Sequence, residues 1–127
     1  MDISILCVLL AAIMPYILVA YAKFSEKGYD NHLPREHMDK KEGVIKRAYA
    51  AHLNSFEAFP AFAAVVILGH FAGVSMVALS LLSVLFIVCR IFYGIFYILD
   101  KASLRSTVWF IGLIVVITMY ILVLIAL

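Results

Sequence analysis

The sequence predicts an all-α fold, an integral membrane bundle of four transmembrane helices. Three observations predict it. Hydrophobic residues make up 66% of the 127-residue chain and charged residues 14%, too few charges to cover the surface of a soluble domain of this size. The apolar residues fall into four runs, each close to the roughly 20 residues that cross a hydrocarbon core at about 1.5 Å per residue. The charges gather between the first and second runs and between the third and fourth. Residues 1–127 then form a single domain with spans at about 3–21, 47–70, 74–99 and 107–127, and one polar loop at 22–46.

The first span, Ile3 to Tyr21, contains Pro15, which removes one helix hydrogen bond and predicts a kink or a loosened turn. Only Asp2 carries charge before it, so the basic flank of a cleaved signal is missing. In the loop, Gly28-Tyr29-Asp30-Asn31-His32-Leu33-Pro34-Arg35 reads as turn and coil, and Glu36 to Lys46 as a short polar helix. The second span is polar in its first half, with His52, Asn54, Ser55 and Glu57, and plain hydrocarbon from Phe62 to Leu68. His52 reads as a packing or interfacial residue. Gly69 and Gly73 have the spacing of a close-packing motif, but the apolar run has to reverse here, so a turn is the expectation. The third span ends with Arg90, Tyr93 and Tyr97. Asp100, Lys101 and Arg105 lead into the fourth. Cys7 and Cys89 lie inside apolar runs and read as packing residues rather than a disulfide. No Cys/His cluster points to a metal.

Lys23, Lys27, Arg35, Lys40, Lys41, Lys46 and Arg47 lie between the first two spans, and Lys101 and Arg105 between the last two. The positive-inside rule puts both segments in the cytoplasm and both termini outside. The net charge of +2 is mixed in sign and makes no case for nucleic acid. The lysine-rich loop reads as a solvated face with some attraction to anionic membrane lipid.

Two helices carry the informative side chains at one membrane depth. Arg47, Asn54 and Glu57 are spaced seven and three residues apart, and Arg90, Tyr93 and Tyr97 three and four. Each set lies on one helix face. The second and third spans join at the far side of the membrane, so their polar ends converge on the cytoplasmic side. A charged group at a helix centre costs at least about 2.5–3.5 kcal/mol on insertion scales, so it faces a partner, a cavity or a ligand. Two readings follow. Glu57 and Arg90 pair and hold the bundle together, or the donors, acceptors and phenols line a site for a small, charged, water-soluble ligand.

At this point the residues resemble a known family. The segment Arg47-Ala48-Tyr49-Ala50-Ala51-His52-Leu53-Asn54-Ser55-Phe56-Glu57-Ala58-Phe59-Pro60 is similar to the signature of the MAPEG family, the membrane-associated proteins in eicosanoid and glutathione metabolism. Arg90-Ile91-Phe92-Tyr93-Gly94-Ile95-Phe96-Tyr97, followed by Leu104-Arg105-Ser106, resembles its third helix and the start of its fourth. The run from Tyr29 to Arg35 looks like the bacterial branch, which implies a bacterial inner membrane.

The resemblance implies a homotrimer that binds glutathione between subunits near the cytoplasmic side. It also implies an activity on lipophilic electrophiles or lipid hydroperoxides. By position, Asn54 and Glu57 bind glutathione's polar ends and Tyr93 and Tyr97 line the same site. Arg47 and Arg90 join it, Lys23 stands where relatives carry a cation for a carboxylate, and Arg105 matches the arginine that stabilises the thiolate. The chain departs from the pattern at Ala50, where many catalytic relatives have an arginine, and at Ala58, where leukotriene-type synthases have an aromatic residue. The family also contains a non-catalytic lipid-binding member. Arg105 and the tyrosines favour an enzyme, and Ala50 favours a scaffold. A transporter is disfavoured because no inverted repeat is visible.

Overall fold

A computed structural model describes residues 2–127. The described chain forms five helices: α1 Ile3–Phe24, α2 Pro34–Asp39, α3 Gly43–Phe71, α4 Met76–Ile98 and α5 Ala102–Ala126. Helices α1, α3, α4 and α5 are long and apolar enough to cross a membrane. The protein is an integral, multi-pass membrane bundle. Outward-facing Ile17, Leu81, Phe110 and Leu124 are each more than half exposed, a cost in water but not against acyl chains.

Helix α1 packs mainly on α3 and α5 mainly on α4, while α3 and α4 join the pairs. The central core gathers Phe62, Val65 and Val66 of α3, Leu79, Phe86 and Ile87 of α4, and Val115, Val116 and Met119 of α5. The rings of Phe62 and Phe86 stack at 4.1 Å. Lipid offers no hydrophobic drive for helices to associate, so close van der Waals fit holds them. Gly69 supplies such a fit, since a Cβ there would stand 2.6 Å from Leu79 Cδ2.

The helix ends follow local chemistry. Asp2 caps α1 by accepting from the Ser4 and Ile5 amides at 2.8 and 3.4 Å. It also lies 3.2 Å from His70 at the end of α3. The same end of α3 runs into a left-handed residue, Gly73 at φ +74. Val74 N–H then donates to the Gly69 carbonyl at 2.9 Å and Gly73 N–H to His70 at 3.3 Å, closing the last carbonyls. The Gly69–Gly73 pair thus does two jobs, close packing at the first residue and the expected turn at the second. Asp100 repeats the turn after α4 at φ +57.

Pro15 does not interrupt α1. It is buried, and its carbonyl accepts a hydrogen bond from the His52 ring at 2.7 Å. His52 is packed between Tyr49 and Phe56.

The polar loop differs from expectation. The short helix covers Pro34–Asp39 rather than Glu36 to Lys46, and α3 begins at Gly43. Gly43 sits at φ +62, a conformation no α-helix continues through, so one predicted helix becomes an end and a beginning. Proline is placed at the first helical position, where its missing N–H costs nothing. Met38 anchors α2 against Ala22, Ala48 and Tyr49. Glu26 is clasped by Lys41 and by His37 at 2.8 Å. Other loop charges also pair: Lys40 with Glu36, Lys46 with Asp39, and His32 with Asp30.

Two outcomes are expected. Gly69→Val should lower the thermal midpoint in detergent, a loss on the order of 1–3 kcal/mol for an overpacked contact; Gly69→Ala should cost less because the end of Leu79 can rotate. An unchanged midpoint for the valine variant would refute the close approach. The hydrogen bond from Lys41, with help from His37, holds the Glu26 carboxyl below the ordinary glutamate range. A depressed carboxyl stabilises the fold above its unfolded value, about 4.3, and loses that contribution as pH falls through the folded value. Hydrogen exchange in 25–42 should therefore rise below about pH 4.3, and a Glu26→Gln variant should show the faster exchange already at neutral pH.

Candidate functional site

Three helix faces meet in a cleft toward the loop side of the bundle. Helix α3 contributes Asn54, Glu57, Ala58 and Ala61, α4 contributes Phe86 and Arg90, and α5 contributes Trp109 and Gly112. They enclose a cavity of about 230 Å3. A second cavity of about 190 Å3 lies beside it, lined by Tyr93, Tyr97, Arg105, Ser106 and Trp109. Trp109 is a wall of both.

Arg90 is the most constrained member. It is 5% exposed. One guanidinium N–H donates to Ser55 Oγ at 3.2 Å, and Ser55 in turn donates to the Ala51 carbonyl at 2.9 Å. The guanidinium lies 4.3 Å from the centre of the Tyr93 ring, a cation–π contact that stabilises the charge without neutralising it. Tyr93 meets Tyr97 edge to face at 5.6 Å, and Arg105 sits 4.3 Å over Tyr97. The result is a ladder of cation, ring, ring, cation running from the bundle interior toward the loop side.

Pairing of Glu57 with Arg90, one of the two readings of the sequence, does not occur. Among the described residues no carboxylate oxygen lies within 4.0 Å of Arg90. Glu57 instead accepts from Asn54 Nδ2 at 3.1 Å and is exposed. Helical spacing explains it. Ser55 lies on the core-facing stripe with Ala51 and Phe62, while Glu57 points to the rim. The Asn54 Oδ1 atom is buried and has no hydrogen-bond partner, a state that costs free energy unless something answers it.

Arg105 lies in the first turn of α5, which starts five residues earlier than the expected Thr107. No side chain caps this end, and a cation here is repelled by the positive end of the helix dipole.

Two further candidates stand apart from the cavities. Arg47 donates from Nε and Nη2 to the Ile98 carbonyl at 3.4 and 3.2 Å, and so caps α4. Lys23 lies 5.1 Å over the Tyr29 ring. Sequence reasoning did not single out Trp109 or Gly112, and it named Ser55 only as polar. The signal for α5 was there, because Arg105, Trp109, Gly112 and Val116 are spaced four, three and four residues. For Ser55 the signal was a hydroxyl on an otherwise apolar core stripe.

A protein-family model described as MAPEG family matches residues 3–125. No curated protein and no solved structure matches the chain.

The unpaired charge yields a prediction. Arg90→Met removes a buried charge without leaving a carboxylate behind, so the thermal midpoint should hold or rise. A midpoint lowered by several degrees would show that Arg90 is a structural tie rather than part of a site.

Proposed function

The chain belongs to the MAPEG family, and on that premise and the cleft's chemistry we propose that it is a glutathione-dependent transferase or peroxidase acting on lipophilic electrophiles or lipid hydroperoxides. Family members generally use glutathione and include both activities. The observation that carries the reading is Arg105, a cation at the positive end of a helix with two phenols beside it and no carboxylate within 4.0 Å among the described residues.

The residues present fit a tripeptide thiol. Glu57 supplies a carboxylate for its ammonium group, and the unpartnered Asn54 Oδ1 supplies an acceptor. Arg90 keeps N–H groups for a carboxylate. Arg47 and Lys23 are the outer cations of the proposed site. Each is engaged now by a neutral partner, a carbonyl and a ring, which a carboxylate displaces at low cost. Glutathione, once bound, brings the sulfur nucleophile. Arg105 and the N-terminal amides of α5 favour its charged form, which lowers the thiol pKa. Tyr97 holds the guanidinium in place through its ring. The apolar electrophile arrives through lipid and the polar cosubstrate through water, and the cleft brings them together.

In this proposal the working form is a homotrimer in a bacterial inner membrane. Both basic segments face the cytoplasm and both termini lie outside, as the lysine and arginine distribution supports.

A second reading, a non-catalytic lipid-binding or scaffold protein, has two observations in its favour. Asn54 and Glu57 already satisfy each other in part, and Ala50 leaves no cation one turn before them. Two measurements separate the readings. Calorimetry should give glutathione binding, and mixing should give ultraviolet thiolate absorbance. Arg105→Ala should lower kcat about 100-fold, the usual loss when a donor to a developing or resident anion is removed, with a smaller change in KM for glutathione. An absence of binding at millimolar glutathione removes the enzyme reading.

A further inference from the structure

On the far side of Arg90 from the cleft, α1 and α4 leave a second opening that thiol chemistry does not use. Both helices run in the same direction, since Asp2 and His70 join the start of α1 to the end of α3 that feeds α4. The groove between them holds about 290 Å3. Leu10 and Ile17 stand on one wall and Ile87 and Ile95 on the other. Gly94 sets the floor. A Cβ there would stand 3.3 Å from Leu18 Cδ2, so the two helices touch behind the groove while Ile17 and Ile95 stay exposed in front. Arg90 is the one polar residue of the lining, and its guanidinium is engaged with Ser55 and the Tyr93 ring. Water does not suit such a space, because each molecule would lack the several polar partners it needs.

We propose that this groove binds a zwitterionic phospholipid of the loop-side leaflet, with one acyl chain in the groove and the phosphate and ammonium groups at Lys101 and Asp100. The inference goes beyond the glutathione reading and does not depend on it. Length is the first support. From Ile98, the last residue of α4, down to Ile87 the helix rises about 16 Å, and one leaflet of a roughly 30 Å hydrocarbon core is about 15 Å. The groove therefore opens at the membrane surface and ends near the midplane, the reach of one acyl chain. Charge at the mouth is the second support. Asp100 and Lys101 follow Ile98 in the α4–α5 turn, both exposed. Among the described residues neither has an ion-pair partner within 4.0 Å. A phosphate answers the lysine and an ammonium group the aspartate. Tyr21, one turn beyond Ile17 on the same face of α1 and 44% exposed, sets a phenol at the depth where headgroups begin. A purely apolar molecule leaves all three unanswered.

The test uses the full chain in dodecyl maltoside micelles, with phosphatidylethanolamine that carries a diazirine midway along one acyl chain. After photolysis, peptide mass spectrometry should place the adducts in 10–18 and 87–98, and labelling should saturate as the lipid's mole fraction rises. Unlabelled phosphatidylethanolamine should compete about five-fold better than a diacylglycerol of the same chains, the sum of two exposed ion pairs. Asp100→Asn with Lys101→Gln should erase that advantage and leave the adducts where they are, since asparagine tolerates the positive φ at 100. Ile17→Trp adds bulk to an exposed wall and should abolish saturable labelling. Ile95→Trp makes the same test from α4 should the first variant not fold.

Adducts spread over the outward faces of the four spanning helices in proportion to lipid content mean ordinary boundary lipid and overturn the inference. An absence of groove adducts overturns it too, as does saturable labelling that survives a folded tryptophan variant, or equal competition by the two lipids. Cross-links between α1 of one copy and α4 of another make the groove a subunit interface instead.

Discussion

A guanidinium inside a bilayer has to be answered by its surroundings, and much of this bundle is arranged around the answer to Arg90. At a helix centre such a charge costs at least about 2.5–3.5 kcal/mol on insertion scales. Ser55 and the Tyr93 face meet part of the demand. That requirement fixes a serine on the core stripe of α3 and turns Tyr93 inward. Tyr93 then sets Tyr97, and Tyr97 sets Arg105. Toward α1 Arg90 borders an apolar cavity of about 290 Å3 between α1 and α4, so the residue has the polar cleft on one side and hydrocarbon walls on the other.

The cleft is graded, and the grading suits a reaction between two solvents. Near the loop side it offers Arg105, two phenols and helix amides. Deeper it offers Trp109, Gly112 and Phe86. Neither end stands on a loose segment. The α4–α5 turn is locked by Lys101 N–H donating to the Phe96 carbonyl at 2.8 Å and by the Arg47 cap on Ile98. The loop after α1 is clasped at Glu26 and anchored by Met38. Rigid helices hold reacting groups more closely than mobile loops do.

Most of the architecture was legible in the sequence because span length and charge placement are coarse constraints that a bilayer enforces strongly. The four long helices appear where the apolar runs lie. The shared depth of Asn54, Arg90 and Tyr93 was legible from spacing alone. Partner choice was not. Glu57 and Arg90 are at matching depth, yet a rotation of two residues along α3 gives the guanidinium to Ser55 instead. The α2–α3 break was hidden because it depends on the positive φ at Gly43, which a glycine permits but does not announce. Arg47 shares the periodicity of the site residues, but its hydrogen bonds to the Ile98 carbonyl at the end of α4 come from a position that periodicity within one helix cannot reveal. Trp109 and Gly112 went unnoticed because a large and a small apolar residue in a lipid-facing helix carry no mark until the opposing wall is known.

Glu57 sets a condition on any assembly of this protein. It is exposed on the single chain and lies well inside a helix able to cross the membrane. A carboxylate facing acyl chains there would be as costly as Arg90, and the amide of Asn54 is a weak answer to a full charge. The exposed face of Glu57 therefore has to meet protein, water or a cationic group. A neighbouring subunit that closes the cleft while leaving it wet would satisfy that condition, and an ammonium group bound there would satisfy it better. The exposed carboxylate and the buried guanidinium are two unbalanced charges of opposite sign on the walls of one cavity. A ligand that carries both signs balances them at once, whereas a purely apolar lipid balances neither.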